Sequence, residues 1–272
     1  MTRFWLSVCF AVLWVNGFQA VAQSKTEREL FRVGTELDHA VIALMDWGDN
    51  FPAEPPPGVI GSAFLVNDEG YFVTAAHNLE HYKPHSAKLV VMLRQVGGGG
   101  SGAWFDVVEK DEKRDLALCR ITNYNPAVLS KLAKDSKEEF QFVVPWSLPL
   151  SAQQISVGQF MVIGGFPVSS WNPTVQMGHI AATKTINPTV AGGYDLFQVS
   201  VAGNQGDSGG PVVDLHTGNV VGVVVRGYIQ LHPQSSNFVI QSSGIVMAAP
   251  VSWVAELLSK NNVKGVSMRH SH

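Results

Sequence analysis

The sequence predicts an all-β protein of two six-stranded antiparallel β-barrels with a short C-terminal helix. Three observations carry this. Short runs rich in valine, isoleucine and phenylalanine recur along the chain, each bounded by glycine, proline, asparagine or aspartate. A polar stretch over 122–155 divides those runs into two groups. Beyond the N-terminal arm, helical spacing returns only after Pro250, where Val251, Val254, Leu257 and Leu258 share one face.

The elements follow in chain order. Arg3 precedes an apolar stretch from Phe4 to Val15, and Ala20-Val21-Ala22 then supplies small residues two apart. This is the pattern of a secretory signal peptide cleaved after Ala22, with an uncleaved membrane anchor as the alternative. The Ala-Val-Ala site favours removal. Export to the periplasm or the cell exterior, with no stable anchor left behind, is therefore expected. Residues 24–38 set Leu30, Phe31, Val33 and Leu37 among Glu27, Arg28, Glu29, Arg32 and Glu36. A short amphipathic helix or arm is expected there, and it is a candidate surface for oligomer formation.

Ala40–Leu44 reads as a strand, and the prolines at 52, 55, 56 and 57 make 51–58 a loop. Val59–Val66 and Tyr71–Thr74 are apolar runs joined by Asn67-Asp68-Glu69-Gly70, a hairpin turn signal. Lys88–Arg94 and Ala103–Val108 follow, and the glycine-rich Gly97–Gly102 between them reads as a mobile hairpin tip. It lacks the lysine and following helix of a phosphate-binding loop. Asp115–Ile121 is another strand. The charged run Lys131, Lys134, Lys137, Glu138 and Glu139 reads as a solvated linker. Strands resume at Phe160–Ile163, His179–Thr183, Leu196–Val201, Pro211–Val213, Val220–Val225 and Ile245–Met247. The helix opened by Pro250 ends the domain.

With 272 residues and 46% hydrophobic content, the chain can bury one large β core or two small ones. A net charge of −3 argues against a nucleic-acid partner, which usually selects a basic face. Of two cysteines, Cys9 leaves with the signal peptide. The remaining Cys119 lies in the apolar run Leu116–Ile121, so no internal disulfide is expected and a buried, inert thiol is.

The chemistry concentrates at Gly203-Asn204-Gln205-Gly206-Asp207-Ser208-Gly209-Gly210-Pro211. Glycines around a serine let a carbonyl approach its hydroxyl and leave the Gly206 and Ser208 N–H groups able to converge on an oxyanion. Serine needs a base. Tyr71–Ala76 ends a strand on His77, whose imidazole can take and return a proton near neutral pH. Asp115, at the mouth of the strand Leu116–Ile121, could fix that imidazole's tautomer.

The motifs Gly61-Ser62-Ala63-Phe64, Thr74-Ala75-Ala76-His77, Asp115-Leu116-Ala117-Leu118 and Gly206–Pro211 follow the chain order His, Asp, Ser. Over about 40–260 the chain resembles the chymotrypsin/trypsin-fold serine proteases. Asp-Leu-Ala-Leu, Gly164-Gly165-Phe166-Pro167 and the missing disulfides look closest to the bacterial HtrA-like branch. The resemblance implies polypeptide substrates, an acyl-enzyme on Ser208, His77 as general base, Asp115 as its orienter, and an oxyanion hole from the Gly206 and Ser208 amides. No cofactor or metal is implied.

Three departures qualify the resemblance. About 60 residues follow Ser208 and are needed for the last strands and helix, so no PDZ domain is expected. Val59-Ile60-Gly61 resembles the new N-terminus of an activated trypsin, but it lies only about 17 residues before His77. Asp207 should therefore find another partner, such as an arginine or lysine of the N-terminal arm. Asp207 also stands where HtrA proteins usually have asparagine.

Ala202 occupies the position where trypsin-like enzymes place a carboxylate at the base of the P1 pocket. Together with Val225 and Gly227 on the strand expected to pair with substrate, it implies a small or medium apolar P1 residue. His77-Asn78-Leu79-Glu80-His81 has the spacing of an inverted zinc-protease motif, but that chemistry needs both histidines on one helix. His85, His232, His270 and His272 read as surface residues. Two other readings stay open: a latent protease whose oxyanion loop needs a partner or oligomer, and a catalytically silent binding module on the same fold.

Overall fold

The computed structural model describes residues 24–46, 58–84, 89–95, 100–135, 142–167, 170–186, 195–231 and 240–265. The signal peptide, the loop prolines, Gly97–Gly99, Lys137, Glu138, Glu139, His85, His232, His270 and His272 lie outside the described residues.

Helix α1 (Lys25–Ala40) leads into strand β1 (Val41–Asp46). The helix starts at Ser24 because a capping box is present: Ser24 Oγ accepts from the Glu27 N–H at 3.1 Å, and Glu27 Oε2 accepts from the Ser24 N–H at 2.7 Å. The face carrying Val33, Leu37 and Ala40 is buried. Arg32 donates to the carbonyls of Leu215 and His216, which ties the arm to the second half of the chain.

The first unit comprises β1, β2 (Gly58–Leu65), β3 (Tyr71–Ala75), β4 (Leu89–Arg94), β5 (Gly100–Ala103), β6 (Phe105–Asp111) and β7 (Leu116–Ile121). These form one antiparallel sheet in the order β5-β4-β1-β2-β3-β7-β6. It is a seven-stranded half-barrel, and two expectations change with it. The first unit has seven strands rather than six. Gly100–Gly102 is also not a loose tip, because Gly100 pairs with Arg94 and Ala103 with Val91. A Cβ on Gly100 would lie 2.5 Å from the Leu93 carbonyl oxygen, so glycine serves close strand approach here. The β2–β3 hairpin turns where the sequence marks it. Asn67 Oδ1 accepts from the Glu69 and Tyr71 N–H groups, and Gly70 takes φ +83°.

The second unit is a closed barrel of six strands: β8 (Phe160–Gly165), β9 (Thr174–Ile186), β10 (Asp195–Ser200), β11 (Pro211–Asp214), β12 (Val220–Leu231) and β13 (Ile240–Pro250). Between the units, Pro126–Asp135 is helical (α2), which corrects the reading of Lys131 and Lys134 as linker. Asn125 caps the helix by accepting from the Ala127 and Val128 N–H groups, and Pro126 occupies its first turn. The later linker is stitched to both units: Leu148 N–H donates to Leu65, and Val220 N–H to Pro149.

Alternation along the strands builds three cores. Ile42 and Leu44 of β1 face the interior of the first unit with Phe72, Phe105 and Cys119, while Val41, Ala43 and Met45 face the second. Likewise Met161 and Ile163 of β8 enter the closed barrel, and Val162 joins the central core. Strands buried on both faces read as continuous apolar runs, which is the texture of the sequence. Helix α3 (Val251–Lys260) adds Val251, Val254, Leu257 and Leu258 to the central core.

Candidate active site

The site lies where the two units meet. Strand β3 ends on Ala75, and a single 3-10 turn (Ala76–Leu79) carries His77. Residues 77–81 thus do not run through the α-helix that a zinc-protease motif requires. Asp115 precedes β7 with φ +55°, a left-handed conformation that aspartate tolerates better than most residues. There it meets His77 twice. Its Oδ1 accepts from the His77 backbone N–H at 2.9 Å, and its Oδ2 lies 2.8 Å from Nδ1. Its own carbonyl accepts from the Ala76 N–H at 3.1 Å. A carboxylate facing Nδ1 requires that nitrogen to donate, so Nε2 is left with the lone pair.

Ser208 sits on the turn before β11. The Asp207 N–H donates to Asn204 O at 3.2 Å, and Gly206 and Gly209 take φ +102° and +87°. Glycine is required at both positions. A Cβ on Gly206 would lie 2.2 Å from Phe166 O, and one on Gly209 would lie 2.1 Å from Ser62 O. The turn is bonded to both units. Gly209 N–H donates to Val224 O at 2.7 Å, and Val224 N–H to Gly210 O at 2.9 Å. From β2, Ser62 N–H donates to Ser208 O at 2.8 Å and Ser62 Oγ to Gly206 O at 2.6 Å. Asn78 Nδ2 donates to Ser208 O at 2.9 Å. Among the described residues, the Gly206 and Ser208 N–H groups donate to no protein acceptor.

His77, Asp115 and Ser208 line one cavity of about 560 Å³. Val225 and Gly227 line it too, whereas Ala202 is exposed and stands outside the lining. Sequence reasoning missed Leu196 and Trp253, the cavity's further apolar walls, and the charged rim of Glu80, Lys110, Glu112, Lys113, Arg114 and Arg226. Trp253 comes from α3, and Arg114 lies over its ring at 5.1 Å while pairing with Glu256 at 2.6 Å. Trp253 reaches the cleft through tertiary packing, whereas Glu80, Lys113, Arg114 and Arg226 are chain neighbours of His77, Asp115 and Val225. Thr74 and Ser62 were visible in their motifs, but nothing in the sequence gave their role as buried anchors.

Asp207 departs from expectation. Its side chain is buried, and among the described residues no cation of the arm reaches it. Arg32, an arm cation that crosses to the second unit, bonds Glu36 and two carbonyls instead. Asp207 Oδ2 accepts from the Asn204 N–H at 2.9 Å, while Oδ1 has no partner and packs against Gly165. Burial pushes its pKa up to about 6, against the opposing pull of the Asn204 N–H and the Gln176 side chain.

A half-barrel packed on a closed six-stranded barrel, with one cleft between them, is the chymotrypsin-like architecture. Residues 61–223 match the model of the trypsin-like peptidase domain. The mouse "Serine protease HTRA4" is 30% identical over 172 residues, covering 61% of this chain and 30% of the relative. The "Probable periplasmic serine endoprotease DegP-like" of Rhizobium meliloti (strain 1021) is 30% identical over 240 residues, covering 87% of this chain and 40% of the relative. The solved "HtrA-type protease AlgW with decapeptide" superposes with a TM-score of 0.61 at 23% identity, covering 86% of this chain and 67% of that one. The chain therefore belongs to the trypsin-like peptidase domain family. It spans 29–40% of the length of the first curated relatives it matches.

Proposed function

We propose that the chain is an exported serine endopeptidase that hydrolyses polypeptides through an acyl-enzyme on Ser208. The carrying observation is the double contact of Asp115 with His77 beside Ser208 in one open cavity. His77 Nε2 takes the Ser208 proton as Oγ attacks the scissile carbonyl, and the Gly206 and Ser208 N–H groups receive the oxyanion. The imidazolium, held by Asp115, then protonates the leaving amine, and water repeats the sequence on the acyl-enzyme. Among the described residues both N–H groups lack a protein acceptor, which suits that role. Leu196, Val225 and Gly227 support a small or medium apolar P1 residue.

The experiment is cleavage of a diverse peptide library by residues 23–272 beside Ser208→Ala, read by mass spectrometry. Serine-dependent cuts after small apolar residues are expected. Cuts mainly after Lys or Arg would remove the P1 assignment, and no serine-dependent cut would remove the peptidase reading.

A second reading, a latent protease awaiting a partner or a second copy, is favoured by the unpartnered Asp207 Oδ1. The exposed Phe31 on α1, beside Val175 and Met177, supports the arm as the contact surface. Ester hydrolysis at full rate by the isolated monomer would exclude latency. Export rests on the N-terminal pattern and on the periplasmic designation of relatives. Its test is N-terminal sequencing of the mature protein, expected to begin at Gln23.

A further inference from the structure

His77 and Asn78 are adjacent in the chain, yet their side chains hold different parts of the site. His77 bonds Asp115 within the first unit. Asn78 reaches across to the nucleophile turn of the second, donating to Ser208 O at 2.9 Å and to Thr74 Oγ1 at 3.0 Å. The polarity of these bonds is fixed by their partners. Ser208 O can only accept, and Thr74 Oγ1 spends its proton on Ser62 O at 2.8 Å. The Asn78 atom facing both must therefore be the NH₂ group.

The site is built around that amide. Asn78 is 4% exposed, and Ser62 and Thr74 are fully buried. A Cβ on Gly61 would lie 2.2 Å from Asn78 Nδ2, so a glycine at 61 makes room for it. Together with Ser62 N–H at 2.8 Å, Asn78 fills both lone pairs of the Ser208 carbonyl. These two bonds pin a residue that lies between positive-φ glycines at 206 and 209.

We propose that Asn78 is a positioning residue for the reaction: its amide fixes the Ser208 carbonyl, and with it the hydroxyl, in register with the imidazole of the adjoining His77. The role rests on the serine-peptidase reading above. A residue that merely filled the space could be replaced by one of the same size without effect on turnover. A residue that positions Ser208 could not, because a displacement of about 1 Å at a reacting atom costs about 100-fold in rate.

Asn78→Leu keeps the branched outline of the side chain and removes both donors. Gly61→Ala keeps the amide and pushes it aside. Each variant of the full chain is assayed on a small ester for kcat and KM across pH, with backbone hydrogen–deuterium exchange over 203–211. For both, kcat should fall about 10- to 100-fold with KM within about twofold. The pH midpoint of kcat/KM should hold, because the Asp115–His77 contacts are untouched. Exchange at Gly209 and Gly210 should quicken about 10-fold while β8 and β7 keep wild-type protection. Wild-type kcat in either folded variant, or exchange quickened equally in all strands, would overturn the proposal. If Asn78→Leu does not fold, Gly61→Ala decides alone by the same readouts. If the wild-type chain matches Ser208→Ala on every substrate, the peptidase reading fails by itself, and unchanged exchange at 203–211 would overturn the anchoring as well.

Discussion

Asp115 grips His77 with both carboxylate oxygens, one on the backbone N–H at 2.9 Å and one on the ring Nδ1 at 2.8 Å. The first contact sets where the 3-10 turn begins, and the second sets which ring nitrogen carries the proton. Asparagine at 115 cannot serve both, since one of its two atoms would be a donor facing a donor. If its oxygen keeps the backbone N–H, its NH₂ meets Nδ1 and forces the proton to Nε2, the wrong tautomer for a base. Asp115→Asn should therefore fold and bind substrate, with kcat down about 10⁴-fold. Ser208→Ala and His77→Ala should each lose about 10⁶-fold, and their double variant little more, because the groups act as a unit. Steady-state kinetics on a chromogenic ester checks the set. Additive losses in the double variant would break the assignment of a common step.

Asp207 makes the stability of the fold depend on pH. Its carboxyl titrates near the ordinary 3.8 when unfolded and at about 6 when folded, because burial disfavours the charge. Between those values the folded state holds more protons than the unfolded one, so unfolding free energy falls as pH rises. The favourable contribution is complete below about pH 4 and gone above about pH 6, a difference of roughly 3 kcal/mol. Asp207→Asn keeps an oxygen for the Asn204 N–H and carries no charge, so that slope should vanish. Urea unfolding of both proteins at about pH 4 and about pH 8 measures it. An identical pH dependence in the two proteins would mean that Asp207 is not the group responsible.

Much of this architecture is legible in the sequence where a local rule and a tertiary contact agree. Val251, Val254, Leu257 and Leu258 show a helical stripe, and all four are buried. Asn67–Gly70 reads as a turn, and Asn67 closes it. The residues that fail are those whose surroundings come from elsewhere in the chain. No pattern near Asp207 tells that Arg32 of the arm is spent on Leu215, His216 and Glu36. Leu196 and Trp253 reach the cavity from β10 and α3, and Trp253 is remote in sequence from every motif. Gly100–Gly102, the described part of Gly97–Gly102, looks like a tip because glycine usually marks one, but an edge strand lying tightly on β4 uses the same residue. Helix α2 is a different failure. Its Asn-Pro start stands at 125–126, but the charged residues that follow have the composition of a solvated linker.

Gly209 is the glycine on which the nucleophile turn depends most. It combines φ +87° with a Cβ position 2.1 Å from Ser62 O and 2.3 Å from Thr74 Oγ1, both in the buried network. Alanine there must strain its own backbone and push apart two hydrogen-bonded partners. Gly209→Ala should cost at least about 2 kcal/mol of stability and abolish measurable turnover. Gly158→Ala is the control, because it shares the positive φ (+83°) but has nothing within 4 Å of the added methyl. It should cost about 1 kcal/mol and spare turnover. Equal stability losses in the two variants would show that backbone strain alone, and not the Ser62–Thr74 contact, sets the requirement.

Cys119 tests the interior of the first unit. It sits in β7, opposite Phe72 on β3 and Val107 on β6, fully buried, and burial drives its thiol pKa strongly upward. A thiol in that position is neither ionised nor reachable, so it behaves as a small apolar side chain. In the folded protein it should resist a thiol-specific disulfide reagent for as long as the sheet around β7 stays paired, and react fully in denaturant. Cys119→Ala should cost about 1 kcal/mol through the space it leaves. Cys119→Ser should cost more, about 2 kcal/mol, because its hydroxyl would sit among Leu65, Phe72 and Phe105 in an apolar core. Neither change should alter kcat, since the residue faces away from the cleft into the core of its own unit. Rapid labelling of the native protein would mean that the sheet around β7 opens far more readily than its packing implies.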